Sequence, residues 1–293
     1  MTVITFLLDL LRRGRFTFSN KVSHVATYTR ELPISIERMY ENAIDGEHLP
    51  HLHSDSFSEI NIIKSGSWGW LATGNLTPKS FMNYMKLELT LDRENHRWIT
   101  RTLAGLGKGT EIWTHAIPLG EHKIKIIVDF YVPKLPNFLK AMYAKEYIET
   151  YSKLYDQDLW MMATRQNELD RLKTLTAQNK NTGSADAKNN YQKDLVLGKA
   201  TEIERLLPLE FTQNGHPYRL IKLDNELVAH SSTCPHMLGP LQKSNVIDGT
   251  VECPWHGYKF DVKTRKCTTG AKCKLAPAPM VVINTEGTVV ASF

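Results

Sequence analysis

No apolar run in this chain of 293 residues approaches the twenty that a membrane-spanning helix needs, so no transmembrane span is expected. No block of Lys and Arg is interleaved with aromatics, and the net charge of +5 is mild; nucleic acid is not an expected partner. No internal repeat is present. Cysteine is scarce, with 4 in all. Two of them, Cys267 and Cys273, lie in the run Lys-Cys-Thr-Thr-Gly-Ala-Lys-Cys-Lys and could sit across a turn. In a chain that reads as cytoplasmic they are expected to be ordinary thiols and not a disulfide. The N-terminus also lacks a secretory pattern: residues 4–15 are apolar and then basic, the reverse order. A short helix docked on its own domain is expected there; lying on a membrane surface is the alternative. A hydrophobic content of 42% and a charged content of 23% describe a globular chain with room for two domains.

What is present is concentrated in two short regions. The segments Cys-Pro-His-Met-Leu-Gly-Pro-Leu and Cys-Pro-Trp-His-Gly-Tyr-Lys-Phe-Asp carry Cys234, His236, Cys253 and His256, with sixteen residues between the boxes. Two thiolates on one iron and two imidazoles on the other hold a [2Fe–2S] cluster of the Rieske kind. A structural Cys2His2 zinc site uses the same ligand types, but zinc fingers usually keep both Cys in one box and both His in the other. The mixed boxes, with a Pro after each Cys and the glycines Gly239 and Gly257, favour the cluster.

The other region is Glu41-Asn-Ala-Ile-Asp-Gly-Glu-His-Leu-Pro-His-Leu-His, in which Asp45, His48 and His53 form Asp-x-x-His-x-x-x-x-His. Asp45 and His48 are expected to share a helix face, and Pro50 to end that helix and bring His53 back toward His48. Two imidazoles and one carboxylate, with adjacent positions open, make the facial triad of oxygen-activating ferrous sites. Solvated histidines at a polar helix end are the plain alternative. His51, between the two, is expected to pack or to support the site.

Element signals divide the chain. Ala26 to Ile34 reads as a strand, and Ile36 to Asp45 as a helix. Strands follow at Ser58–Lys64, Trp68–Thr73, Met85–Asp92, Arg97–Ala104, Gly109–Pro118 and Lys123–Val132. A long helix is expected over Asn137 to Leu175, with an apolar stripe at Leu139, Met142, Tyr143, Tyr147, Tyr151, Leu154, Leu159 and Met162. A small polar stretch, Thr176 to Lys193, reads as a linker. Short strands at Tyr218–Leu223, Glu226–His230, Thr250–Cys253, Met280–Asn284 and Thr288–Ser292 suggest a small antiparallel β domain. Trp68, Trp70, Phe81, Trp160, Met161 and Met162 are candidates to line an apolar substrate cavity. His115 lies on a strand that can face it.

On these motifs the chain resembles the Rieske non-heme iron oxygenases, in inverted domain order. The resemblance implies an α+β architecture: a START-like helix-grip catalytic domain over 1–175, a polar linker over 176–196 and an all-β Rieske domain over 197–293. It implies a [2Fe–2S] cluster on Cys234, His236, Cys253 and His256, with both imidazoles presenting an exposed edge. It implies mononuclear Fe(II) on His48, His53 and a carboxylate of the long helix. The family's acid followed by Gln eight positions later fits Asp158 and Gln166; Asp156 is the reserve. Asp45 would not be a ligand but would bridge a cluster His and an iron-bound His. The implied activity is mono- or dioxygenation of an apolar organic substrate with O2, using electrons from a ferredoxin or reductase. A homotrimer is usual in the family, but the linker admits delivery within one subunit. Met237 stands where a basic residue often follows the cluster His. The competing readings are a Rieske electron carrier, or a redox-linked ligand-binding protein, whose helix-grip module holds no catalytic iron.

Overall fold

The computed structural model describes residues 22–133, 137–181 and 194–293; the N-terminal apolar stretch and residues 182–193 lie outside them. The chain divides into two compact units, 1–159 and 160–293.

The first unit is built on a seven-stranded antiparallel sheet. Its strands are β1 (Val22–Leu32), β2 (Phe57–Gly66), β3 (Gly69–Leu76), β4 (Tyr84–Asp92), β5 (Arg97–Gly105), β6 (Glu111–Gly120) and β7 (Lys123–Pro133), in the spatial order β1-β7-β6-β5-β4-β3-β2. Period-two patterning explains why these segments pair. In β7, Ile124, Ile126, Val128, Phe130 and Val132 are buried while the residues between them are not. Met85, Leu87, Leu89 and Leu91 of β4 do the same. Burying each such side chain contributes about 1.5–3 kcal/mol, and a one-residue slip would turn the whole set outward.

Strands β2 to β7 form a meander, so β1 and β2 lie on opposite edges. The crossover between them carries α1 (Ile36–Ile44) and α2 (Leu49–Leu52). The Ser35 hydroxyl caps α1 by accepting from the Arg38 N–H at 3.4 Å. The helix stops at Asp45, its C-cap. His48 then caps α2, which has Pro50 in its first turn. The expected single helix through Asp45 and His48 is therefore corrected to two. Pro50 begins the second helix, where a missing N–H costs nothing, and does not end the first.

The long helix α3 spans Asn137–Asn181. Residues 176–181, expected in the linker, continue it. Its first turns are exposed at Phe138, Met142 and Tyr143, so the expected apolar stripe begins only at Tyr147. From there the helix packs on the sheet. The rings of Tyr147 and Tyr151 lie 4.8 and 4.7 Å from that of Phe130, and Tyr155 stacks on Tyr28 at 5.8 Å. A large antiparallel sheet holding a long helix is the helix-grip arrangement expected from the sequence.

Beyond Leu159, α3 belongs to the second unit. There the remaining elements are β8 (Leu195–Lys199), α4 (Ala200–Leu206), β9 (Leu209–Gln213), β10 (His216–Leu223), β11 (Glu226–Ser231), β12 (Val246–Ile247), β13 (Thr250–Glu252), β14 (Lys259–Asp261), β15 (Met280–Ile283) and β16 (Thr288–Ser292). They form three three-stranded antiparallel sheets: β11-β10-β9, β12-β13-β14 and β15-β16-β8. Ile203, Leu220, Ala229 and Val289 make a small core. Arg171 of α3 donates to the Gly215 carbonyl at 2.6 Å, fixing the helix within this unit. Among the described residues, no helix is long and apolar enough to cross a membrane.

Candidate functional site

In the first unit, His48, His53 and Asp158 place one donor atom each within 4.8 Å of one another, and all three are buried. The two histidines come from the crossover, the acid from α3. His48 caps the start of α2 and His53 its end, so one four-residue helix sets both imidazoles. Their rings are edge to face at 5.2 Å. Nε2 of His53 lies 3.0 Å, and Nε2 of His48 3.4 Å, from Oδ1 of Asp158. The same oxygen accepts from Nδ2 of Asn42 at 2.8 Å.

The opposite ring nitrogen of His53 is held from behind. Nδ1 of His53 donates to Oε1 of Gln157 at 2.7 Å, an oxygen that only accepts. Nδ1 of His48 lies 3.7 Å from Oδ2 of Asp45. With Nδ1–H so committed, neutral His53 aims the lone pair of Nε2 at a carboxylate oxygen. Two lone pairs at that distance repel unless a proton or a metal cation lies between them. The donor set thus fits a divalent ion, and an imidazole anchored through its outer nitrogen, as His53 is, suits a metal site of this kind.

Without a metal, protons take that place. Burial alone would lower the pKa of His48, but hydrogen bonding to Asp158 and Asp45 outweighs it and pushes the value up to about 10. Burial would raise Asp158, yet its bonds to His48 and His53 hold it well below the usual carboxylate range.

Asp156, the reserve, points away: it pairs with Arg30 at 2.6 Å and is mostly exposed. The Gln166 amide donates to Asp170. His51 is exposed, so the packing role expected for it is corrected. Asn42 and Gln157 escaped sequence reasoning. The signal for Asn42 was there, as a polar residue on the face of α1 that buries Met39 and Ala43.

A cavity of about 130 Å³ adjoins the three residues, lined by Trp70, Leu87, Trp98, Tyr151, Leu154 and Tyr155 among others. Of the proposed cavity residues only Trp70 lies on it. Phe81 is 91% exposed, and Met161 and Met162 are buried in the second unit. Trp160 packs edge-on against Trp255 at 6.1 Å. Thr114 reaches the cavity, and alternation along β6 turns its neighbour His115 to the other face.

In the second unit the two cluster boxes fold into matching loops. The Cys234 N–H donates to the Gly239 carbonyl at 2.8 Å, and the Leu238 N–H returns to the Cys234 carbonyl at 3.0 Å. Cys253 repeats both bonds with Tyr258 and Gly257, at 2.8 and 2.9 Å. The fifth position is left-handed in each, with φ of +65° at Leu238 and at Gly257. Leu bears a strain there that Gly does not. Gly239 is required for space, since a Cβ on it would lie 2.8 Å from the Cys253 sulfur.

These loops bring thiol to thiol and imidazole to imidazole. The Cys234–Cys253 hydrogen bond lowers the pKa of Cys253 and raises that of Cys234. Both sulfurs are buried, and neither is in a disulfide. The His236 and His256 rings meet edge to face at 4.6 Å, with Tyr258 4.6 Å from His236. Sorting the donors into a sulfur pair and a nitrogen pair suits two irons better than one zinc. His236 is exposed, but His256 is buried, so the expectation of two exposed edges is corrected for His256. The Met237 carbonyl accepts from Arg165 of α3 at 3.1 Å.

Comparison with known proteins agrees with this second unit. A sequence profile for the Rieske [2Fe-2S] domain matches residues 193–291, which implies a [2Fe–2S] cluster there. No curated protein matches the chain. Among solved structures it is similar to norcoclaurine synthase from Thalictrum flavum, with 20% identity over 48% of this chain and 87% of that one and a TM-score of 0.39. It is similar to the Zhui aromatase/cyclase from Streptomyces sp. R1128, with 11% identity over 49% of this chain and 95% of that one and a TM-score of 0.41. It is also similar to the ferredoxin of carbazole 1,9a-dioxygenase from Nocardioides aromaticivorans IC177, with 20% identity over 34% of this chain and 97% of that one and a TM-score of 0.31. At these values nothing about activity rests on the likenesses.

Proposed function

We propose that this chain is a Rieske-type mononuclear non-heme iron oxygenase acting on an apolar organic molecule. One observation carries the reading: a chain with a Rieske domain also gathers two buried imidazoles and a buried carboxylate beside an apolar cavity. In this reading Cys234, Cys253, His236 and His256 hold the [2Fe–2S] cluster, and His48, His53 and Asp158 hold Fe(II). When bound, the cluster would supply single electrons from a ferredoxin or reductase, and the ferrous ion would activate O2 toward the substrate.

The remaining work falls to the chain's own residues. Gln157 keeps the His53 proton on Nδ1 and so leaves Nε2 as a donor. The Asp45 carboxylate lies 3.7 Å from Nδ1 of His48 and attracts a positive charge on that ring. Asn42 turns Oδ1 of Asp158 toward the imidazoles. Trp70, Trp98, Leu87 and Leu154 exclude water from the cavity wall, while the hydroxyls of Tyr151, Tyr155, Thr100 and Thr114 are the polar groups that could orient a substrate. An engineered apolar cavity of about 150 Å³ takes benzene; the volume here suits a molecule, or a buried end of one, of about that size.

The test is substrate-dependent O2 consumption by reconstituted, chemically reduced protein, combined with a screen of apolar metabolites for a mass gain of one oxygen. Turnover abolished in His53→Ala is the expected result. Identical behaviour of wild type and variant would reduce the protein to an electron carrier or a ligand-binding module.

A further inference from the structure

Outside both metal-ligand sets, the second unit holds two more cysteines in register. Lys266 and Lys274 form an antiparallel bridge, and the Leu275 N–H donates to the Arg265 carbonyl at 2.9 Å. Carried one residue inward, the register of that bridge sets Cys267 against Cys273, and their thiols are hydrogen-bonded to each other. Facing residues of a hydrogen-bonded antiparallel pair have Cα atoms about 5.5 Å apart, within the roughly 4.4–6.8 Å window that a disulfide spans. Gly270, with φ of +93°, lies at the turn between them. Both side chains are partly exposed and both thiols are free, unlike the fully covered Cys234 and Cys253.

We propose that Cys267 and Cys273 are a redox-active dithiol, converted to an intramolecular disulfide by exchange with glutathione disulfide. Cys267 is the attacking group. Its sulfur lies 3.2 Å from the Thr269 hydroxyl. Burial raises its pKa, but that hydroxyl, the backbone around Thr269 and Ala271 and the Cys273 thiol together bring it below the ordinary value. Burial and the neighbouring Cys267 raise Cys273, which stays a thiol until the second step. The Cys267 thiolate displaces one glutathione from the oxidant and forms a mixed disulfide. Cys273 then attacks the Cys267 sulfur and releases the second glutathione. One protein disulfide forms, one glutathione disulfide becomes two glutathiones, and the two thiol protons leave with them. The proposal does not depend on the oxygenase reading, because neither cysteine belongs to either donor set.

The experiment treats cluster-loaded protein with glutathione disulfide, alkylates it in denaturant and digests it with trypsin. Cleavage after Lys266, Lys272 and Lys274 separates residues 267–272 from 273–274 unless a disulfide joins them. The expected product is that joined pair, two hydrogens lighter than the reduced peptides together. In Cys267→Ser the same treatment leaves glutathione on Cys273, since no second thiol is there to displace it. Alkylation of both thiols in the treated wild type, glutathione retained on both, or linkage of either to Cys234 or Cys253 would overturn the proposal.

Discussion

In the second unit each cluster loop carries its own thiol and imidazole within three residues, and its own backbone hydrogen bonds fix their aim. In the first unit the two imidazoles of a short crossover helix meet a carboxylate 105 residues further along the chain. A locally closed loop announces its chemistry in its spacing. A site closed by tertiary structure does not, because the residue that completes it is chosen by which face of a distant helix packs inward. Asp156 and Asp158 differ by two positions on α3, about 200° of helical turn. One pairs with Arg30 near the surface and the other is buried against His48 and His53.

That contrast can be broken most severely at the cluster loops. Cys253→Ala should abolish the cluster's visible absorption outright while leaving metal binding at His48, His53 and Asp158 intact, as read by iron analysis and cobalt titration. Loss of both together would mean that the two sets are not independent. Next in size is the choice of acid. Asp158→Asn should remove one iron per chain with the cluster spectrum unchanged. Asp156→Asn should lose no metal and cost at most about 1 kcal/mol in thermal unfolding, as surface ion pairs do. A reversed pattern would move the site along the helix.

Smaller effects sharpen the role of the anchoring residues. Gln157→Leu and Asn42→Leu should each weaken metal binding by about 10–100-fold, the usual effect of removing a partner that orients a ligand. Calorimetry on cobalt would register it, and unchanged affinity would make both residues mere packing. Smallest is a pH slope. Because His48 is held protonated to about pH 10 without metal, binding must release that proton. Affinity should rise about tenfold per pH unit between pH 7 and 9, and a flat profile would contradict the assignment. The same raised value makes its contribution to metal-free stability fully present below pH 6.5 and lost as pH climbs through about 10.

Much of the fold was legible for the same reason that the loops were. Strands β4 and β7 alternate strictly enough to read from sequence, and the apolar face of α3 is plain from Tyr147 onward. Strands β8, β9, β12 and β14 are not legible in the sequence, whereas β13, β15 and β16, equally short, are. The break between α1 and α2 is not legible, because a Pro such as Pro50 marks a helix stop and a helix start equally well. Gln157 is not legible because nothing local says that a polar side chain will support a histidine 104 residues away, and the partner of Asn42, the carboxylate of Asp158, lies 116 residues away.

The central claim is that a separate iron is held by His48, His53 and Asp158 in addition to the cluster. It is tested most directly by counting iron in anaerobically reconstituted protein, wild type beside His53→Ala. The account predicts about three irons per chain in the first and about two in the second, with the same cluster spectrum. About two irons in both would contradict it.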